Sequence, residues 1–350
     1  MDNPVISAIM TVYNGQLFLS QAIESLLNQS LSNFELIIIN DNSSDYSQRI
    51  IERFCDQDSR VRILNNSENL GPFVSANLGL ITAKGIYIAR MDADDISLPA
   101  RFEKQFDFLE RHKEVGLLGS NGIYIDENNK VLGPFQHFEN DLEIRWGSLF
   151  NSQFIHSSIM FRRKLLPLAG IYREDYKYAQ DYEFTNRLLQ HTWGANLNEK
   201  LVLWRKTGGN ISTQKKEAQL KFGTQIAIDN INQLFQYDFV TDHEEMLVLR
   251  GLYRGSYRAV KNTHVSRFMQ ILKKFIAVQK IPRAAERRLI SGVAIRMFES
   301  IFRKGLKKEN LGYLKIIAEM TPFAILIGIK NLGIRALKKT INWSKGSDIC

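Results

Sequence analysis

The sequence predicts an α/β protein: a mixed, mostly parallel sheet flanked by helices over residues 1–212, then a mainly α-helical C-terminal region over 213–350. Three observations carry this expectation. Apolar, β-branched runs alternate with segments of helical spacing, polar clusters follow several of those runs, and net charge changes sign along the chain. Strands alternating with helices at this spacing imply parallel crossover units.

Residues 5–11 form a short run rich in β-branched residues and read as a buried strand, broken by Asn14-Gly15. Leu17, Ala22, Ile23, Leu26 and Leu27 then fall on one face of a helix over 16–29. Residues 34–40 (FELIIIN) predict a second buried strand. A helix over 46–54, a strand over 61–64, a helix over about 73–82 and a strand over 87–91 follow. Ser97 reads as the N-cap of a helix over 99–112, with Pro99 in its first turn. Strands are expected at 115–120 and 122–125, with a hairpin turn at 127–130, a helix at 181–190 and a strand at 197–204. From residue 213 the pattern is almost wholly helical.

The 350 residues are 44% apolar, enough for one large or two ordinary cores, and no repeat or low-complexity tract interrupts them. The first residues lack the basic and long apolar regions of a secretion signal, and Cys55 and Cys350 are the only cysteines. Free thiols in a reducing compartment are therefore expected, and with them a cytoplasmic location. Residues 251–350 carry 21 Lys and Arg against 5 Asp and Glu, a net charge of +16, whereas residues 1–250 carry −7. A mildly acidic body joined to a strongly basic one is the natural reading.

Open α/β sheets bind ligands at the carboxyl ends of their strands. Three polar clusters fall there: Thr11-Val12-Tyr13-Asn14, residues 41–45 beginning at Asp41, and Asp92-Ala93-Asp94-Asp95. Three carboxylates within four positions repel unless a cation neutralises them, and carboxylate oxygens suit Mg²⁺ or Mn²⁺. The plain alternative is an acidic turn capping the next helix. No glycine-rich dinucleotide or P-loop signature is present, so a metal is the expected partner of any diphosphate.

Five segments in order, MTVYNG (10–15), INDNSSD (39–45), ENLGPFVSANLGL (68–80), AKGIYIARMDADD (83–95) and SLPARFEKQ (97–105), resemble the successive motifs of inverting family 2 glycosyltransferases with the GT-A, Rossmann-like fold. The resemblance spans about residues 4–212, with a nucleotide-binding half over 1–95 and an acceptor half over 96–212. It implies that Thr11 and Tyr13 line a base pocket and that Asp41 accepts the N3–H of uracil. Thymine shares that donor and cytosine lacks it, so a UDP-sugar, or a dTDP-sugar, is the implied donor. Asp92 would contact ribose or metal and Asp94 would be the principal metal ligand. Asp95 would support the site or cap the next helix.

On the acceptor side, His156-Ser157-Ser158 resembles the start of the strand that enters the acceptor pocket. Ala179-Gln180-Asp181-Tyr182-Glu183 resembles the segment bearing the catalytic base, at Asp181. The plain alternative for Asp181 is a helix N-cap, a role compatible with that of base, and Arg187 is a candidate salt-bridge partner or diphosphate contact. Two departures stand out. Gln180 replaces the common Glu, and Thr207 occupies the His position of an Arg-x-His motif, leaving Arg205 or Lys206 as candidate diphosphate contacts.

The basic tail pairs cations such as Lys273-Lys274, Arg287-Arg288, Lys307-Lys308 and Lys338-Lys339 with apolar residues including Phe268, Ile271, Leu272 and Phe275. Its longest apolar stretch, 321–329, falls short of the about 20 residues a bilayer span needs. Peripheral attachment to an anionic membrane surface, the cytoplasmic face of the inner membrane, is expected, with a glycan or lipid-linked saccharide as acceptor. An ordinary helical domain with a solvated basic face is the alternative. No recognition motif accompanies the charge, so nucleic acid is not an expected partner. Two other functions stay open: a sugar-nucleotide nucleotidyltransferase, which usually shows a glycine-rich basic loop after its first strand, and an inactive glycan- or membrane-binding relative.

Overall fold

The computed structural model describes residues 3–209, 214–254 and 261–303. In chain order the first elements are β1 (Ile6–Val12), α1 (Leu19–Leu27), β2 (Phe34–Asn40), α2 (Ser47–Gln57), β3 (Val61–Asn65), α3 (Pro72–Thr82), β4 (Tyr87–Asp92), β5 (Ile96–Ser97) and α4 (Arg101–Arg111). Then come β6 (Val115–Ile125), β7 (Val131–Phe135), α5 (Asp141–Ser148), β8 (Met160–Arg162), α6 (Leu166–Ala169), α7 (Gln180–Leu189) and β9 (Trp193–Arg205). Four helices complete the described chain: α8 (Lys216–Phe235), α9 (His243–Tyr253), α10 (Asn262–Gln279) and α11 (Arg283–Arg303).

The described strands form one nine-stranded sheet in the order β3-β2-β1-β4-β8-β6-β9-β5, with β7 paired to β6. Strands β3, β2, β1 and β4 run parallel. β8 is antiparallel to both β4 and β6, so β6 and its parallel partner β9 point the same way as β4. Every residue of β1 and β2 is buried, as strands covered on both faces by helices must be. Each buried Ile or Leu there contributes roughly 1.5–3 kcal/mol. Helix α3 lies close against this sheet at Gly79, where a Cβ would stand 2.7 Å from Ile9 Cγ2 and 2.9 Å from Ile39 Cδ1. Any side chain larger than hydrogen would push the helix away.

Two local expectations are corrected. Ser97 is a strand residue, not a helix cap: it lies in β5, where its hydroxyl accepts from Gln29 Nε2, and α4 begins after Ala100 with no side-chain cap. Residues 115–125 form one strand with register shifts about Ser120–Gly122, not two strands. The helix α5, capped by the Asn140 side chain on Glu143 N–H, was not anticipated.

The chain divides into two compact units, one ending at Ile226 and one beginning at Ala227, within α8. In the second unit α9 packs against α10 and α11. Its core holds Met246, Leu249, Leu252, Val265, Phe268, Ile271, Leu272 and Phe275, all at most 1% exposed. The apolar face of α10 is therefore covered by the protein itself and is not presented to a bilayer. Among the described residues no helix is long and apolar enough to cross a membrane. The basic pairs at 307–308 and 338–339 and the apolar stretch at 321–329 lie outside the described residues.

Candidate active site

The parallel register sets the site. Thr11 pairs with Asp92, and Val12 pairs with Asn40, the residue before Asp41. Thr11, Asp41 and Asp92 thus share one carboxyl edge, where turns can open onto a ligand. Thr11 is buried, and Tyr13 is 54% exposed just beyond β1. The two turns at this edge lock each other through short polar side chains. Asn14, at φ 49°, donates its N–H to Ser43 Oγ and accepts from Ser44 N–H, while Gly15 N–H donates to Ser47 Oγ.

Asp41 is 1% exposed. Its Oδ1 accepts from Asn66 Nδ2 at 2.8 Å and Leu70 N–H at 2.9 Å, and its Oδ2 from Gly71 N–H at 2.8 Å. Gly71 has φ +85°, a backbone state that favours glycine, and this geometry aims its N–H at the carboxylate. Asp41 therefore braces the segment leading into α3. One acceptor position on Oδ2 remains beyond these bonds.

The acidic cluster divides by side chain. Asp92 is 35% exposed at its side chain and faces His156, whose Nδ1 lies 2.9 Å from Asp92 Oδ1. Burial alone would raise the Asp92 carboxyl, but the His156 imidazole and the Arg90 guanidinium outweigh it and hold it down at about 2. Asp94 is partly exposed, and its backbone carbonyl accepts from Arg205 Nε at 2.7 Å. Asp95 is fully buried; it accepts from Ser157 Oγ and, at 2.8 Å, from Arg205 N–H. Burial, then the neighbouring Asp94 and Asp92 charges, push its carboxyl well above the usual range. Asp95 braces the turn and caps no helix.

Among the described residues no three His, Cys, Asp or Glu side chains form a ready-made metal cage. Mg²⁺ and Mn²⁺ sites at diphosphates need fewer: one or two carboxylates plus phosphate oxygens. Asp92 and Asp94, oxygen donors on a braced turn, fit that requirement.

His156 opens a 3-10 turn, His156–Ser158, directly before β8, not a strand. Its Nε2 faces Tyr172 Oη at 3.1 Å and Arg90 Nε at 3.4 Å, both able to donate. In the neutral ring this partner set assigns the proton to Nδ1, donating to Asp92. Tyr172 is a residue that sequence reasoning missed. It is 3% exposed, packs between Phe73 and Phe184, and is clamped to Asn77 by two hydrogen bonds of 2.9 Å. No motif marks it; only the fold brings it to His156.

Asp181 lies in the first turn of α7, inside the helix, because the N-cap position is Ala179. Backbone N–H groups there favour a carboxylate. Burial nevertheless raises the Asp181 carboxyl above its ordinary value, against the His156 imidazole, which lowers it. The Asp92 charge adds to the rise. Gln180 is nearly buried and its Oε1 accepts from Tyr178 N–H, a local structural bond. Arg187 pairs with Glu183 at 2.5 Å and donates to Ala169 O and Ile171 O. These partners make Arg187 a clamp between α7 and the chain after α6, not a diphosphate contact. Arg205 is likewise committed: fully buried, it donates to Asp94 O, Asp126 O, Asn129 Oδ1 and Gln21 Oε1. Lys206 sits with Nζ 3.5 Å from the Tyr124 ring centre.

Known proteins share this chain's sequence pattern and fold. A family model described as glycosyl transferase family 2 matches residues 7–167. An uncharacterized glycosyltransferase of Haemophilus influenzae is 30% identical over 249 residues, covering 66% of this chain and 75% of the relative. One of Methanocaldococcus jannaschii is 34% identical over 206 residues, covering 58% and 71%. Among solved structures, S. aureus TarS residues 1–349 superposes with a TM-score of 0.56 at 18% identity, covering 85% of this chain and 87% of that one. At that identity the match speaks to fold, and the fold is GT-A. The chain belongs to glycosyltransferase family 2.

Proposed function

We propose that this glycosyltransferase moves a hexose or N-acetylhexosamine from a UDP-sugar to a hydroxyl of a glycan or lipid-linked saccharide, with inversion at the anomeric carbon. The observation that carries the reading is the position of His156. Its ring bonds to Asp92 at the donor edge and to Tyr172, which packs on Phe184 of α7, the helix whose first turn carries Asp181. The acidic turn and the candidate base thus share one neighbourhood.

In this reading Asp181 takes the proton of the acceptor hydroxyl as its oxygen attacks the anomeric carbon. The bond from that carbon to the diphosphate oxygen breaks in the same displacement, so an α-linked donor gives a β-linked product. Mn²⁺ or Mg²⁺ held by Asp94 and Asp92 would neutralise charge on the departing diphosphate. Asp92 stays ionised throughout the neutral range because His156 and Arg90 hold its carboxyl low. Tyr13 offers a ring to the base, Thr11 lines its pocket, and the remaining acceptor position on Asp41 suits the N3–H of uracil. The TarS structure determined with UDP-GlcNAc supports the choice of nucleotide by analogy.

Titration with UDP, CDP and GDP, with and without Mn²⁺, tests the donor. UDP is expected to bind about 10- to 100-fold tighter than CDP, since cytosine leaves a buried acceptor unpaired at a cost of about 1–3 kcal/mol. Equal binding of all three would overturn the assignment. A screen of UDP-sugars then identifies the sugar.

The basic C-terminal region supports peripheral attachment to the cytoplasmic face of an anionic membrane, where glycans for the cell surface are assembled on lipid carriers. Among the described residues the α10 face is buried, so charge is the attraction they offer, at about 1 kcal/mol for each Lys or Arg near the surface. Co-sedimentation with phosphatidylserine-containing vesicles should be strong at 0.1 M salt and lost near 1 M, as the screening length falls from about 10 to about 3 Å. Salt-insensitive binding would point to an apolar anchor instead.

A further inference from the structure

A cluster of rings lies outside the chemistry described so far. Tyr124 of β6, Phe135 of β7 and Trp204 of β9 are mutual neighbours. The ring centres of Tyr124 lie 4.7 Å from Phe135 and 4.9 Å from Trp204, and Phe135 and Trp204 are stacked at 5.8 Å with planes 24° apart. All three are only partly buried, and exposed Lys206 stands over Tyr124.

The sheet register fixes where this platform faces. Tyr124 pairs with Trp204, Gly122 pairs with Val202 and with Phe135, and side chains two apart on a strand share a face. A Cβ at Gly122 would meet Ile155 Cδ1 at 2.8 Å and Val202 Cγ2 at 3.1 Å. The rings therefore lie on the sheet face that carries Ile155 and the turn bearing His156. They also lie at the same edge as Asp92, because β6 and β9 run parallel to β4 and the rings sit at the carboxyl ends of β6 and β9. β6 is two strands from β4, a lateral distance of about 10 Å. The residue after Trp204 is Arg205, whose N–H and guanidinium hold Asp95 and Asp94 in place.

We propose that Tyr124, Phe135 and Trp204, with Lys206 over the Tyr124 ring, form a subsite that stacks a distal sugar ring of the acceptor glycan. A pyranose presents a face of C–H bonds, weakly positive, to the negative face of an aromatic ring. Its hydroxyls project sideways, where the Lys206 ammonium can donate. A half-exposed cluster of rings two to three strands along the edge from the donor end, about 10–15 Å laterally, is placed to hold a sugar beyond the one being extended. Exposed Gln136 and Lys206 border the rings, and exposed Val131 and Leu132 lie farther along β7.

The subsite rests on the glycosyltransferase reading above, and one experiment separates the two. The full chain is applied to an array of neutral and acidic oligosaccharides, and the same preparations are titrated with UDP and Mn²⁺. The wild type is expected to bind a subset of glycans. Trp204→Leu and Tyr124→Leu are each expected to weaken that binding at least tenfold while UDP affinity stays within twofold, and Trp204→Phe is expected to retain most of it. Variants that bind glycans as the wild type does, or a wild type that binds none, would overturn the subsite. Loss of UDP binding by the wild type would instead overturn the donor assignment.

Discussion

Asp181→Asn is expected to abolish sugar transfer while leaving Mn²⁺-dependent UDP binding intact. The amide keeps the shape of the side chain and its place in the first turn of α7 but cannot take a proton from the acceptor. General-base removal costs about 100- to 10,000-fold, so kcat should fall by at least about 100-fold with little change in UDP affinity. Stopped-assay measurement of transfer beside calorimetric UDP binding reads both quantities. The pH profile supplies a second check. A base works only when deprotonated, so transfer must decline as pH falls through its pKa. Burial raises the Asp181 carboxyl above its ordinary value, so the acid limb of the wild-type profile should lie above the ordinary aspartate pKa of about 3.9. Asp92, held at about 2, ionises too low to produce that limb. Full transfer activity in Asp181→Asn, or a product that keeps the donor's anomeric configuration, would remove Asp181 from the role.

Most of the architecture was legible because the strands that build the site are buried on both faces. Their sequences are then continuous apolar runs, and β2 was delimited to the residue. β5 and β8, of two and three residues, are too short to show a period, and their pairing depends on partners far away in the chain. Ser97 resembled a cap because a polar residue before a Pro and a helical run is locally sound. Its tertiary bond to Gln29 on the chain after α1 decides otherwise. The acidic turn was legible as a cluster, but the division of labour within it was not. Asp95 differs from its neighbours only because Ser157 and Arg205, 62 and 110 positions away, meet its two oxygens. Arg205 failed as a diphosphate candidate for the same reason: charge near a motif does not reveal which carbonyls will consume it. The α10 pattern shows the limit most directly, since an amphipathic period is identical whether a bilayer or neighbouring helices cover its apolar face. Phe268 and Phe275 are covered by the protein itself.

That division of labour makes a sharp contrast between two adjacent carboxylates. Asp94→Ala is expected to weaken UDP binding about tenfold or more in Mn²⁺ and to leave the weak, metal-free affinity unchanged. The transition state carries more charge on the diphosphate than the ground state does. Transfer should therefore suffer beyond binding, with kcat/KM reduced by at least about 100-fold, the equivalent of several kcal/mol of lost Lewis-acid stabilisation. Raising the Mn²⁺ concentration should recover part of this loss, because Asp92 remains as the second oxygen donor. Asp95→Ala should behave differently. Its carboxylate meets Ser157 and the Arg205 N–H in the interior, so deletion leaves buried donors unpaired at about 1–3 kcal/mol, seen as a lower melting temperature with or without metal. If instead Asp94→Ala lowered melting without altering the Mn²⁺ dependence of UDP binding, the carboxylate at 94 would be a brace like its neighbour, and the metal would have to be sought elsewhere.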